Sequence, residues 1–170
     1  GVMGESLDGD LAARFAAAYL TTLTDGPIVV TRDGRASGPM LAAAIEQTLI
    51  RHGRVCLQAD VAATPTTGVL VRELKAAGGI QISASHNPPQ YNGLKLFDRT
   101  GRVIPAGAGQ QVIDAYRLSS PRWQPFDPLG TSFSVDDTIT AHLAMVAAIC
   151  DVERIRAQRF RVLLDANNGA

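Results

Sequence analysis

The sequence predicts an α/β fold: a three-layer sandwich in which helices cover both faces of a mostly parallel sheet with one antiparallel strand. Short apolar runs alternate with segments of helical periodicity, which is typical of crossover connections between parallel strands. Two of these runs are separated only by residues 85–93, too few for a crossover helix, so one strand should be antiparallel. The 170 residues, 46% of them hydrophobic and 19% charged, suffice to bury one full core.

The chain opens with a helix, a strand and a second helix. Apolar residues recur at helical spacing from 7 to 23, and Gly26 ends this pattern. The run 28–30 (Ile-Val-Val) is continuously apolar, which is typical of a strand buried on both faces. Helical periodicity returns over 37–53, between a serine that suits the N-cap and a glycine that suits the end of a helix.

The same alternation continues to the middle of the chain. Strands are expected at 55–59 and 80–84, separated by a turn at 64–67 and a helix that ends near Gly78. The strand at 94–97 follows the short connection and is the antiparallel one. Because the carboxyl ends of parallel strands meet at one edge of a sheet, ligands are expected to collect there.

The alternation is less regular after residue 100. A modest helix is expected across 109–118. The proline-rich stretch 119–130 is expected to be irregular, with Trp123 as its packing anchor. A long helix is then expected over 135–150.

The last residues predict the start of a second domain. The amphipathic segment 152–158 leads into a strand expected at 160–164, and an Asn-Asn-Gly turn after a strand normally feeds another element. We therefore interpret the chain as truncated, with one domain over 1–150 and the beginning of another over 151–170.

Charge and hydropathy exclude several classes of function. Lysine plus arginine number 16, as do aspartate plus glutamate, so no net charge attracts nucleic acid or an acidic membrane. No apolar run approaches the roughly 20 residues that cross a bilayer, and the first residues do not resemble a signal peptide, so the expected compartment is the cytoplasm. Cys56 and Cys150 show no CxxC spacing and are expected to be ordinary buried thiols.

The segment 78–97 (GGIQISASHNPPQYNGLKLF) contains the residues best suited to a functional site. The preceding strand would place Ser85 at the ligand edge of the sheet. Pro88 and Pro89 stiffen the departing backbone, and Gly93 allows a tight return into the next strand. The expected result is a hydroxyl group presented on a rigid loop.

Polar and cationic residues can gather around this hydroxyl. His86 and Asn87 are hydrogen-bonding neighbours, Lys95 is a nearby cation, and Arg32 and Arg35 project from the end of the adjacent strand. Such surroundings suit a phosphate group.

Three roles for Ser85 stay open on the residues alone. Serine and asparagine commonly cap turns, so the loop serine could be structural. A hydrolase nucleophile is disfavoured because the GxSxG elbow is absent and His86 would lie on the other side of an extended chain. The third role is a serine that itself carries a phosphoryl group, which the surrounding cations would stabilise.

Several segments together resemble one family. Residues 83–88 (Ser-Ala-Ser-His-Asn-Pro) and 92–97 (Asn-Gly-Leu-Lys-Leu-Phe) resemble the active-site serine loop of the alpha-D-phosphohexomutase superfamily. Residues 31–35 (Thr-Arg-Asp-Gly-Arg) resemble its Gly-Arg-Asp-x-Arg segment, and 64–66 (Thr-Pro-Thr) match a family loop. Residues 162–170 resemble the start of its second domain. The resemblance implies the first of four family domains followed by the opening strand of the second.

The resemblance implies a role for each residue of the loop. Ser85 would carry the phosphoryl group, exchange it with the sugar, and give a phosphate oxygen to a magnesium ion. Lys95 would perform general acid and base work, and His86 is carried over as a further catalytic residue beside the serine. Asn87 would bind phosphate.

Arg32 and Arg35 are likewise carried over as phosphate-binding residues. The remaining magnesium ligands and the loops that recognise the sugar and anchor its phosphate would lie beyond residue 170. This chain by itself is therefore expected to be inactive, and its sequence carries no signal for an oligomeric state.

The function implied is that of a phosphohexomutase. It transfers a phosphoryl group between the 1- and 6-positions of a hexose phosphate through a phosphoserine and a hexose bisphosphate intermediate. Two alternatives are a non-catalytic phosphosugar-binding module and a purely structural domain in which Ser85 does no chemistry. The expected partners are a hexose phosphate and a hexose bisphosphate, with neither nucleic acid nor membrane.

Overall fold

The described part of the chain folds into a five-stranded sheet with helices packed on both faces. The computed structural model describes residues 1–118 and 128–166. In chain order the elements of this described part are α1 (Gly9–Leu20), β1 (Ile28–Arg32), α2 (Gly38–Arg51), β2 (Cys56–Val61), α3 (Thr64–Glu73), β3 (Gly78–Ile82), β4 (Leu94–Asp98), α4 (Ala106–Leu118), β5 (Ser132–Ser134), α5 (Thr140–Ala148) and α6 (Val152–Gln158).

The strand order of the sheet is β4-β3-β1-β2-β5. β1 pairs in parallel with both β2 and β3, and β2 pairs in parallel with β5. β4 pairs antiparallel with β3, with Gln81 opposite Lys95. The expected mostly parallel sheet with one antiparallel strand is thus confirmed, and the carboxyl ends of β1, β2 and β3 share one edge.

The central strand β1 separates two layers of the core. Ile28 and Val30 pack in a cluster with α1, α2 and α4, whereas Val29 packs on the opposite face with Leu70 and Val71 of α3. All three β1 residues are fully buried, as the continuous apolar run predicts. Burying such a side chain completely contributes about 1.5–3 kcal/mol, so this strand anchors both layers.

The start of α3 corrects the expected turn at 64–67. These residues form the first helical turn, with Pro65 at one of its first positions. Proline is tolerated there because its missing N–H would have no partner within the helix. Thr67 N–H donates to the Ala63 carbonyl oxygen, which closes that turn at 3.0 Å.

The long helix expected over 135–150 is also wrong at its beginning. Val135 instead directly follows β5, and its N–H donates to the Gln58 carbonyl oxygen of β2. The helix α5 starts only after Asp137, whose carboxylate accepts hydrogen bonds from Ile139 N–H and Thr140 N–H. Pairing with β2 overrides the local helical periodicity in the preceding residues.

Helix α5 packs against α3, and Arg72 of α3 donates to the Met145 sulfur of α5 at 3.1 Å. The His142 ring is half-buried and lies 2.9 Å from the Thr66 hydroxyl.

The strand expected at 160–164 does not form among the described residues. Phe160, Leu163 and the residues between them are exposed, Leu163 to 98%, and they pair with no described strand. A strand requires a neighbour for its ladder of hydrogen bonds, and residues 1–118 and 128–166 provide none here. The Asn-Asn-Gly turn and Trp123 lie outside the described residues.

The two cysteines differ in environment. Cys56 is buried, as expected, but Cys150 is exposed at the end of the α5 segment, so that part of the expectation is wrong. Across the described ranges, no helix combines the length and apolar character required to cross a bilayer.

Candidate active site

The serine loop, defined here as residues 83–93, connects β3 to β4 at the carboxyl edge of the sheet. Its base is closed by Ser83 N–H, which donates to the Gly93 carbonyl oxygen at 2.9 Å. Two tight turns follow, in which Asn87 N–H donates to Ala84 and Tyr91 N–H donates to Pro88. Residues 85–90 are all exposed, so the tip of the loop faces solvent.

Ser85 adopts a left-handed backbone conformation with φ of 57°. This region is unfavourable for a residue with a side chain by about 1–3 kcal/mol, so neighbouring contacts must hold it. The Ser85 N–H donates to the Ser83 hydroxyl, and the Ser85 carbonyl oxygen accepts from Arg35, both at 3.1 Å. Both peptide groups of Ser85 are therefore fixed while its side chain is exposed.

The left-handed turn also corrects the expected position of His86. Because the chain is not extended at Ser85, the His86 Nδ1 atom lies 3.3 Å from the Ser85 hydroxyl oxygen instead of on the opposite side. The structure thus brings the imidazole and the hydroxyl together. The adjacent Asn87 exposes its side chain and presents its carbonyl oxygen to Arg35.

Arg35 inserts its guanidinium group into the serine loop from the end of β1. All five of its N–H groups have acceptors at 2.6–3.1 Å, namely a carboxylate oxygen of Asp33 and the carbonyl oxygens of Ser85, Asn87, Pro88 and Tyr91. The side chain is 13% exposed. Arg35 is therefore placed at the loop, as expected, but faces its backbone.

Arg32 points along the sheet edge toward β2. Its guanidinium group forms an ion pair of 2.7 Å with Asp60 and donates to the Asp33 carbonyl oxygen. These described polar contacts do not include the serine loop. The two arginines of one motif thus have different surroundings, because β1 ends at Arg32 and the chain turns before Arg35.

Lys95 belongs to a polar chain beneath the loop. Its ammonium group donates to the Thr64 hydroxyl at 3.0 Å, and that hydroxyl donates to the Gln81 side-chain carbonyl at 2.7 Å. The Gln81 amide donates in turn to the Ala62 carbonyl oxygen, and Gln81 is 1% exposed. These successive hydrogen bonds fix the orientation of each side chain and hold Lys95 at the sheet edge.

Sequence reasoning did not identify the contacts that connect the serine loop to distant parts of the chain. Asn92 is buried, donates to the Ser37 hydroxyl and accepts from Gly93 N–H. The first residues of the chain also contact the loop, since Met3 N–H donates to the Gln90 carbonyl oxygen. Gly93 predicted a tight return into the next strand, but no local pattern indicates these distant partners.

The described residues do not form a metal site on their own. Within 1–118 and 128–166, no group of three histidine, cysteine, aspartate or glutamate side chains is arranged to hold a metal ion. The exposed Ser85 hydroxyl, the nearby imidazole and the fixed ammonium group instead suit an anion. Hydroxyl, imidazole N–H and ammonium groups can all donate hydrogen bonds to an anion.

The chain is similar to the proteins of one family. The family model described as "Phosphoglucomutase/phosphomannomutase, alpha/beta/alpha domain I" matches residues 1–121. The phosphoglucosamine mutase of Rhodococcus erythropolis is 34% identical over 177 aligned positions, which cover 100% of this chain and 39% of the relative. The phosphoglucosamine mutase of Gloeothece citriformis is 43% identical over 122 positions, which cover 69% and 25%.

Solved structures show the same fold. The crystal structure of a "putative phosphomannomutase" from Thermus thermophilus has a TM-score of 0.78 and 29% identity, covering 90% of this chain and 35% of that one. The chain therefore spans well under half the length of these relatives. Since the family model covers most of the sequence and the sheet has the same architecture, the chain belongs to the phosphoglucomutase/phosphomannomutase family and contains its domain I.

Proposed function

We propose that this chain is the phosphoserine-bearing part of a longer phosphohexomutase. The observation that carries the proposal is the Ser85 hydroxyl, which is exposed at the sheet edge while both of its peptide groups are held. A hydroxyl so presented can receive and return a phosphoryl group without rearrangement of the loop. The names of the relatives, phosphoglucosamine mutase and phosphomannomutase, support a hexose phosphate as substrate.

In the proposed reaction, a hydroxyl oxygen of the hexose phosphate attacks the phosphorus atom on phosphorylated Ser85. The bond from phosphorus to the Ser85 oxygen breaks, the sugar becomes a bisphosphate, and the serine oxygen takes up a proton. After the bisphosphate reverses its orientation, the Ser85 oxygen loses its proton and attacks the phosphorus of the other phosphoryl group. The bond from that phosphorus to the sugar oxygen breaks, and the freed sugar oxygen takes up a proton. Because phosphoryl transfer depends mainly on positioning and charge stabilisation, a rigid loop beside cations is suited to it.

The predicted site residues around Ser85, apart from Arg35, have the following roles in this proposal. His86, with its imidazole next to the Ser85 oxygen, can accept or supply the proton of that hydroxyl. Lys95, held by Thr64, is the candidate acid and base for the sugar hydroxyl and a cation for the phosphoryl group. Asn87 and Arg32 stay predicted phosphate-binding residues.

Magnesium is proposed as the cofactor on the basis of the family. The described residues do not fit a complete magnesium site, and the chain would contribute one oxygen through the phosphate on Ser85. The remaining ligands are proposed to lie beyond residue 170, as are the groups that recognise the sugar. The proposed compartment is the cytoplasm, with no nucleic-acid or membrane partner.

The decisive experiment is mass spectrometry on a full-length protein that contains this chain. The wild-type protein should carry one added phosphate at Ser85 and interconvert hexose phosphates in the presence of magnesium. Ser85→Ala should abolish both, whereas Ser134→Ala, at an exposed serine of β5, should abolish neither.

Other outcomes would contradict the proposal. A protein that binds hexose phosphate but never acquires phosphate at Ser85, even with hexose bisphosphate and magnesium, would support a non-catalytic phosphosugar-binding module. Full activity in Ser85→Ala would support a structural role for the serine.

A further inference from the structure

We infer that Arg35 is a positioning residue that holds Ser85 for phosphoryl transfer, and not a phosphate ligand. This inference rests on the proposed function and adds to it by assigning Arg35 a different role from the one the motif suggests. The observation behind it is the complete use of the Arg35 guanidinium group by the serine loop and Asp33.

An arginine that binds a phosphate needs N–H groups that can point at the ligand. Arginine has five N–H groups in one plane, and all five of Arg35 already have protein acceptors. Its positive charge is also matched by the Asp33 carboxylate, which accepts from both the side chain and the backbone N–H of Arg35 at 3.1 Å. Binding a phosphate would therefore require breaking contacts that already exist.

The same contacts explain the shape of the loop. Four backbone carbonyl oxygens of the serine loop converge on one guanidinium group. Carbonyl dipoles that converge in this way repel each other unless a cation lies between them. Arg35 provides that cation in a planar form that lysine, with three N–H groups on one atom, cannot reproduce.

Arg35 affects the reaction through the backbone conformation of Ser85. Arg35 holds the Ser85 carbonyl while Ser83 holds its N–H, and together they stabilise the left-handed conformation that turns the hydroxyl toward His86. Without Arg35, the residue can relax toward an ordinary conformation and move the hydroxyl. A displacement of about 1 Å at a reacting group can lower a rate about a hundredfold.

The test compares Arg35→Lys and Arg35→Ala with Arg117→Ala in a full-length protein. Arg117 lies on the exposed surface of α4 and serves as the matched control. Both Arg35 variants should lower kcat at least tenfold with KM nearly unchanged, and should lower the rate at which hexose bisphosphate phosphorylates Ser85. Amide hydrogen exchange should accelerate over 83–93 but not in β1 or β3.

Each alternative result overturns the inference in a recognisable way. A rise in KM with unchanged kcat and unchanged exchange over 83–93 would make Arg35 a substrate ligand. Wild-type exchange and kinetics in Arg35→Lys would show that its five contacts do not position the loop. If Arg35→Ala fails to fold, Arg35→Lys still decides between these results.

Failure of the proposed function itself gives a different pattern. In that case the wild-type protein has neither phosphate on Ser85 nor mutase activity. Hydrogen exchange over 83–93 still reports whether Arg35 organises the loop, and unchanged exchange in Arg35→Lys then overturns the positioning role independently.

Discussion

At the scale of single residues, the buried amide of Gln81 controls how Lys95 is presented. Its amide N–H is committed to the Ala62 carbonyl oxygen, so its side-chain oxygen must face the Thr64 hydroxyl. That hydroxyl gives its proton to Gln81 and has lone pairs left for the Lys95 ammonium group. A cation at the edge of the site therefore depends on two uncharged neighbours.

Removing the Thr64 hydroxyl, which joins Lys95 to Gln81, should lower the stability of the fold. Thr64→Val keeps the shape of the side chain but leaves the buried Gln81 oxygen without its donor, which should lower the free energy of unfolding by about 1–3 kcal/mol. Urea denaturation measures the change. Thr131→Val, at an exposed threonine, should change stability by less than about 0.5 kcal/mol. Equal effects of the two substitutions would contradict the role given to Thr64.

At the scale of elements, α3 lies unusually close to the hairpin that follows β4. A Cβ atom added at Gly68 would lie only 2.3 Å from the Gly101 carbonyl oxygen, which is backbone and cannot swing aside. Gly101 itself has φ of 77°, the left-handed region that favours glycine. This contact sets the position of α3, whose first residue, Thr64, reaches Lys95.

Gly68→Ala should therefore force α3 and the hairpin apart. We expect a loss of about 1–3 kcal/mol in the free energy of unfolding, measured by chemical denaturation. Gly109→Ala is the control, because that glycine lies within α4 with open space around its Cβ position, so alanine should stabilise by roughly 0.5–1 kcal/mol. A neutral result at Gly68 would show that the two backbones can separate freely.

At the scale of the whole molecule, the free energy of unfolding should depend on alkaline pH because two buried groups, a thiol and a phenolic hydroxyl, resist losing their protons. Burial raises the pKa of the Cys56 thiol from 9.0 to about 12. Burial also raises the pKa of the Tyr19 hydroxyl far above its usual value; that group is fully buried and donates to the Phe97 carbonyl oxygen. Both groups stay protonated in the folded chain at pH values where the unfolded chain releases the proton.

The stability of the fold should consequently fall as pH rises above about 9. The contribution of the Cys56 thiol to the free energy of unfolding is fully present below the pKa of the unfolded thiol and is lost as the pH rises toward the folded value near 12. Each of the two groups loses about 1.4 kcal/mol per pH unit in this way. Urea denaturation from pH 8 to 11 measures the slope. Cys56→Ala should make the decline shallower, and Cys150→Ala, at the exposed cysteine, should not. Identical slopes in all three proteins would contradict this account.

The sequence by itself determined the local character of most elements. The continuous apolar run at 28–30 identified a strand buried on both faces, and the short connection over 85–93 required an antiparallel neighbour. Both signals depend only on residues adjacent in the chain. The strand predicted before the serine loop placed Ser85 at the carboxyl edge of the sheet, and resemblance to a family motif gave that serine its expected role.

Only the tertiary structure determined that residues 132–134 form β5, that α3 starts at Thr64, and which groups Arg35 contacts. Ser132–Ser134 becomes a strand because β2 offers it an edge, and residues 160–164 remain without one because no described strand lies beside them. Arg35 donates to the carbonyl oxygen of Ser85 across 50 residues, and that serine adopts a left-handed turn which no local pattern in the sequence indicates. Periodicity and turn chemistry act over a few residues, whereas strand pairing and long-range hydrogen bonds are selected only when the whole chain packs.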